Sequence, residues 1–138
     1  MSIMLPGSDS PQGSPFPSQR NCILLVEDDF LIRCMLGDEL RDAGYRVVEA
    51  CEATEAISIL TTVSPDLVIS DVRMPGPLDG LDLLAHVREI SPTLPVIIIS
   101  GHLHPTQAMN EGATRFLAKP YLLGVVVDAI REALEKTT

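Results

Sequence analysis

Ile23-Leu24-Leu25-Val26-Glu27-Asp28-Asp29 places a run of aliphatic residues directly before a run of acids. The aliphatic run does not alternate with polar residues, so it does not read as a strand with one wet face. It reads as a short strand buried on both faces, the kind that parallel sheets use. Where helices cover such a sheet, the carboxyl ends of its strands open onto a crevice that holds ligands. Glu27, Asp28 and Asp29 therefore stand where this kind of fold keeps its chemistry.

The same unit recurs outward from that stretch. Ile32, Leu36, Leu40 and Ala43 fall on one helical stripe with Leu31 and Met35 beside it, and Gly44 suits a C-terminal cap. Tyr45 to Val48 reads as a second strand, and Ala53, Ala56, Ile57 and Leu60 as a second helix. Leu67 to Ser70 is the third strand. It is followed by the loop Met74-Pro75-Gly76-Pro77 and a helix marked by Leu83, Leu84, Val87 and Ile90. Pro95 to Ile99 is the fourth strand, residues 103–112 a weak and short helix at best, and Arg115 to Ala118 the fifth strand. Leu123, Val126, Val127, Ile130 and Leu134 stripe the last helix. This repetition defines an α/β fold, a doubly wound five-stranded parallel sheet with helices on both faces. Strand order 2-1-3-4-5 is expected. No repeat at a solenoid period interrupts it.

Composition sets the outer limits. The 138 residues are 46% hydrophobic and 21% charged, which fits one globular domain and a tail. Residues 1–20, where Pro6, Pro11, Pro15 and Pro17 alternate with Ser and Gly, read as a flexible tail. Residues 21–138 form the domain. With 10 basic against 19 acidic residues the net charge is -9, a field that repels phosphate backbones. No direct nucleic-acid contact is expected; cations and basic partner faces suit it better. Cys22, Cys34 and Cys51 form no CxxC pair, which excludes a Cys-rich zinc site and fits a reducing, cytoplasmic setting. The apolar runs are too short to span a bilayer, so no membrane insertion is expected, and no signal peptide is legible.

The residues that follow the strands carry the chemistry. Glu27, Asp28 and Asp29 follow the first, Asp71 the third, Ser100 and Gly101 the fourth, Lys119 and Pro120 the fifth. Each alone has a local explanation, such as a helix cap or a turn residue. Their conjunction at one end of adjacent strands describes a site for a divalent cation and a phosphoryl group. Packed carboxylates resist full ionisation unless a cation neutralises them. All-oxygen donors favour Mg²⁺, with Mn²⁺ also suited, over zinc. A lysine and a hydroxyl suit phosphate oxygens, and an Asp held between metal and lysine can act as a nucleophile.

Leu25-Val26-Glu27-Asp28-Asp29, Ser70-Asp71-Val72-Arg73-Met74-Pro75, Ile99-Ser100-Gly101 and Phe116-Leu117-Ala118-Lys119-Pro120 resemble, in chain order, the motifs of response-regulator receiver domains. The resemblance covers about residues 21–136. It implies a flavodoxin-like receiver, here of stand-alone type, that accepts a phosphoryl group on Asp71 in two-component or phosphorelay signalling. The donor would be a sensor histidine kinase or a histidine phosphotransfer protein. Such a protein is not an enzyme in the ordinary sense; it catalyses only its own phosphorylation and dephosphorylation. By resemblance, Glu27, Asp28, Asp71 and the backbone carbonyl of Arg73 hold Mg²⁺, with Glu27 acting through water. Asp29 starts the first helix. Ser100 and Lys119 engage the phosphoryl group, Ser100 and Phe116 form the switch, and Arg73 and His102 tune the phosphorylated lifetime. The Lys119–Pro120 bond is expected to be cis.

Two departures from the pattern stand out. The loop after Asp71 is one residue longer than usual, near Gly76 and Pro77. The span from Ser100 to Lys119 is shorter than usual by roughly one helical turn. Output is expected through contact with a downstream protein or through onward relay. Residues 101–113 are the expected seat of the largest conformational response. The alternative is a pseudo-receiver, an interaction module that phosphorylation does not regulate. A phosphatase of another aspartyl-phosphate class would need an acid two residues after Asp71, where Arg73 stands. An FMN protein would need a phosphate loop in place of Glu27, Asp28 and Asp29.

Overall fold

The computed structural model describes residues 20–136, so the tail read at residues 1–20 lies almost wholly outside the described residues. Five strands alternate with five helices. They are β1 (Cys22–Val26), α1 (Phe30–Asp42), β2 (Arg46–Ala50), α2 (Ala53–Ile59), β3 (Leu67–Asp71), α3 (Gly80–Ile90), β4 (Val96–Ser100), α4 (Pro105–Asn110), β5 (Arg115–Ala118) and α5 (Leu123–Glu135). All strand pairs are parallel and the order is β2-β1-β3-β4-β5, as the periodicities predict. No helix among the described residues is long and apolar enough to cross a membrane.

Successive residues of a strand point to opposite faces, so each aliphatic strand feeds two cores. Ile23, Leu25, Ile69, Ile97 and Ile99 pack with Leu36 and Leu40 of α1 and Val126 and Ile130 of α5. Leu24, Val26, Val68 and Ile98 pack with Ala53 and Ala56 of α2, Leu83, Leu84 and Val87 of α3, and Ala108 of α4. Complete burial of one such side chain contributes about 1.5–3 kcal/mol, which is why the doubly buried runs dictate the architecture. The register pairs Val26 with Ser70, Asp71 with Ile99 and Ser100 with Ala118. The residues at those strand ends are therefore brought level at one edge of the sheet.

Helix ends follow the local sequence. Asp29 is the N-cap of α1, its side chain accepting from the Ile32 amide at 3.1 Å. At the other end the amides of Gly44 and Tyr45 donate to the carbonyls of Arg41 and Leu40, and Gly44 has φ +101°. That is a Schellman closure, which requires the left-handed conformation glycine accepts. It also corrects the second strand, read as Tyr45 to Val48: Tyr45 is spent closing the helix, and β2 begins at Arg46. The stripe read on α1 is corrected too. Ala43, Leu31 and Met35 are exposed, as is Ile90 at the end of α3. A 3.6-residue period locates an apolar face but does not say whether the fold covers it.

Candidate functional site

The strand ends converge as the topology requires. Lys119, just past β5, places its Nζ 2.5 Å from Asp71 Oδ2 and 3.8 Å from Glu27 Oε1. Carboxylate oxygens of Glu27, Asp28 and Asp71 lie within 4.8 Å of one another. Glu27 and Asp71 are buried, whereas Asp28 is exposed at the mouth. Burial pushes the Glu27 carboxyl up to about 7; the Asp29 amide and Lys119 oppose that push, and the neighbouring Asp71 and Asp28 add to it. Burial alone would depress the Lys119 ammonium, but its hydrogen bond to Asp71 and the charges of Asp71 and Glu27 outweigh that and raise it. A buried carboxyl that must give up a proton to ionise, beside two others, is a donor set a hard divalent cation would complete.

The remaining sequence-predicted residues surround this centre. Asp71, Arg73, Ser100, Gly101, His102 and Lys119 line one cleft of about 280 Å³. Arg73 and His102 are exposed at its rim. Ser100 is buried, and its Oγ accepts hydrogen bonds from the amides of His102 and Leu103 at 3.1 and 3.0 Å. The hydroxyl is thus engaged with its own loop rather than with Asp71. Phe116 is not drawn into the cleft; it is partly buried against the core beneath α2, α3 and α4. The Lys119–Pro120 bond is cis. Helix α4 is six residues long, in keeping with the short span read from the sequence.

Two contributors escaped the sequence reading. Gly80 opens α3 directly against the loop that follows Asp71: its amide donates to the Val72 carbonyl at 2.8 Å, and there is no room for a Cβ beside the Asp71 carbonyl. Glycine carries no functional group, so no chemical signal marks it. Tyr121, two residues past Lys119, has its phenol pushed up by burial and then by the Glu27 charge, with Lys119 opposing. With Ile32, Met35, Lys119, Pro120 and Leu123 it lines a groove of about 440 Å³. Phe30 and Leu31 of α1 and Leu122 before α5 are large apolar residues exposed by 63%, 70% and 74%. The groove and the cleft share Lys119.

The sequence matches the response regulator receiver domain family over residues 23–131, and the chain belongs to that family. These are signalling modules of two-component systems, in which phosphorylation and Mg²⁺ binding are typical. The chain is 38% identical over 117 residues to the C4-dicarboxylate transport transcriptional regulatory protein DctD of Rhizobium meliloti, covering 83% of this chain and 25% of that protein. It is 36% identical over 119 residues to the DNA-binding transcriptional regulator NtrC of Klebsiella pneumoniae, covering 84% and 25%. This chain thus spans about a quarter of the length of these curated relatives. A receiver domain protein from Clostridium thermocellum superposes with a TM-score of 0.79 at 34% identity, covering 85% of this chain and 96% of that one.

Proposed function

We propose that Asp71 is the phosphoacceptor and that the chain receives its phosphoryl group from a phosphohistidine on a sensor kinase or phosphotransfer protein. The observation that carries this reading is the buried Asp71 carboxylate with Lys119 at 2.5 Å and Glu27 and Asp28 beside it. In the step, an Asp71 carboxylate oxygen forms the new P–O bond while the P–N bond to imidazole breaks, and the imidazole leaves with the electron pair. Lys119 holds a phosphoryl oxygen in line. Glu27, Asp28, Asp71 and the Arg73 carbonyl would hold Mg²⁺ or Mn²⁺, whose charge offsets that of the phosphoryl group and the carboxylates. The apolar groove of Ile32, Met35, Tyr121 and Leu123 is where the protein donor would rest, since Lys119 lines it too.

The new group adds up to about two negative charges in the cleft. Ser100 then exchanges its loop amides for a phosphoryl oxygen, and Phe116 repacks. Arg73 and His102, at the rim, set how readily water reaches the phosphoryl group. Incubation with acetyl phosphate and Mg²⁺, read by intact mass, should add one phosphoryl group that Asp71→Asn abolishes. Decay of that adduct should change in rate, not in extent of labelling, in Arg73→Ala and His102→Ala. A wild-type chain that takes up nothing would favour the pseudo-receiver reading. Labelling that survives Asp71→Asn would move the acceptor elsewhere, and identical decay in all three proteins would remove the rim residues from the account.

A further inference from the structure

The acidic pair leaves β1 on a turn whose hydrogen bonds can be counted. The Glu27 amide donates to the Ala50 carbonyl at 3.0 Å, and Glu27 Oε2 accepts from the Asp29 amide at 3.0 Å. The Glu27 carbonyl belongs to the peptide that leads into Asp28, and it accepts from Arg33 Nη1 at 2.8 Å. Arg33 projects from the first turn of α1, and only 16% of its side chain is exposed. Its Nε reaches Glu49 Oε1 on β2 at 3.3 Å, and its guanidinium lies 5.5 Å from the centre of the Phe30 ring. Glu49 is itself braced, since its other oxygen accepts from Arg41 Nη2 at 2.8 Å. Gly37 leaves the lane for that brace: a Cβ there would lie 3.1 Å from both Arg41 Nη1 and Glu49 Oε2. A mid-helix glycine costs about 1 kcal/mol relative to alanine, so this one has a local use.

We propose that Arg33 is a positioning residue for the cation site: by holding the Glu27 carbonyl from a guanidinium braced on Glu49, it fixes the peptide that aims Asp28 at Asp71. Rotation of that peptide is the motion that would carry the exposed Asp28 away from the buried pair. Arg33 is suited to the task because its planar fork serves a carbonyl and a carboxylate at once, which a lysine ammonium does not do with fixed geometry. The inference rests on the metal-holding role proposed for Glu27 and Asp28.

Position and charge act in opposite directions here, which makes the role testable. As a mere nearby cation, Arg33 repels Mg²⁺, and its removal would tighten binding. As a positioning residue, its removal weakens binding. Mg²⁺ titration by calorimetry should show roughly a tenfold loss of affinity in Arg33→Gln, the scale typical of residues that orient metal ligands. Arg33→Lys keeps the charge and should still lose affinity; Glu49→Gln keeps the carbonyl bond but loosens the brace and should lose less. The Asp28 amide resonance of the metal-free protein should shift in Arg33→Gln and Arg33→Lys, while metal-free melting reports folding separately. Unchanged or tighter binding in folded Arg33→Gln, or wild-type behaviour of Arg33→Lys, would overturn the proposal and leave the metal site standing. A wild-type protein that binds no Mg²⁺ would overturn both. If Arg33→Gln does not fold, the Lys and Glu49 variants decide.

Discussion

A Cβ on residue 80 would stand 2.1 Å from the carbonyl oxygen of Asp71, so Gly80 and Asp71 meet backbone against backbone. The approach is steric and needs no unusual backbone angle. It lets the first turn of α3 close over the loop that follows β3, with the Gly80 amide on the Val72 carbonyl. Gly80→Ala must therefore push the loop after Asp71 away. The expected cost is about 2–3 kcal/mol, the range for overpacking, with a clear loss of acetyl-phosphate labelling. Gly124 of α5 is the control, because a Cβ there meets nothing within 4 Å. Gly124→Ala should leave labelling intact and be neutral or stabilising by up to about 1 kcal/mol. Denaturant melts of both variants check the pair; equal stability of the two would refute the close contact.

How far the sequence could be read divides along physical lines. The strands were legible because Ile23–Val26, Leu67–Ile69 and Val96–Ile99 are buried on both faces, and no other element explains such runs. The acids, Ser100 and Lys119 were legible because chemistry-bearing side chains at strand ends share one edge once the order is known. Gly80 was not legible, since its requirement comes from tertiary approach rather than from its own chemistry. Nor was Arg33, which reads as one more charge on a solvated helix until β2 supplies Glu49. Ala43 and Ile90 were read on apolar stripes yet are exposed, because periodicity cannot distinguish a buried stripe from an uncovered one. The start of β2 was misread because Tyr45 looks like a strand residue but is committed to closing α1.

The buried Glu27 carboxyl gives the metal-free protein a specific pH dependence. Its value of about 7 lies above the ordinary 4.5, so the folded state holds a proton there that the unfolded chain has released. Stability from this group is present at low pH and is lost as pH rises from about 4.5 to 7, then levels off. Glu27→Gln cannot ionise and should not show that loss. In EDTA, the variant should match wild type near pH 4.5 and exceed it above pH 7 by about 1–3 kcal/mol. Thermal or urea melts across that range read the difference directly. A difference that is constant with pH would mean that Glu27 titrates alike in both states.

Helix α4 should respond to phosphorylation at one end only. Its N-terminal approach depends on Ser100, whose Oγ accepts from the amides of His102 and Leu103. Drawing that hydroxyl toward a phosphoryl group on Asp71 would leave both amides without their acceptor. The C-terminal end is held from outside. Arg88 of α3 donates through Nε to the Gly112 carbonyl at 2.7 Å and through Nη1 to the Leu94 carbonyl at 2.7 Å. The Ala113 amide closes on the Ala108 carbonyl, with Gly112 at φ +103°. Six helical residues supply few internal hydrogen bonds, so tertiary anchors decide what moves. The expectation for residues 101–113 as a whole narrows accordingly. Hydrogen exchange with and without a beryllofluoride mimic should change most at His102 and Leu103 and least at Ala113 and Thr114. Arg88→Gln should extend the change through Thr114 without preventing the mimic from binding. Equal responses at both ends of α4 in the wild-type protein would show that Arg88 is no anchor. Changes confined to the loop after Asp71 would show that this helix is not the switch.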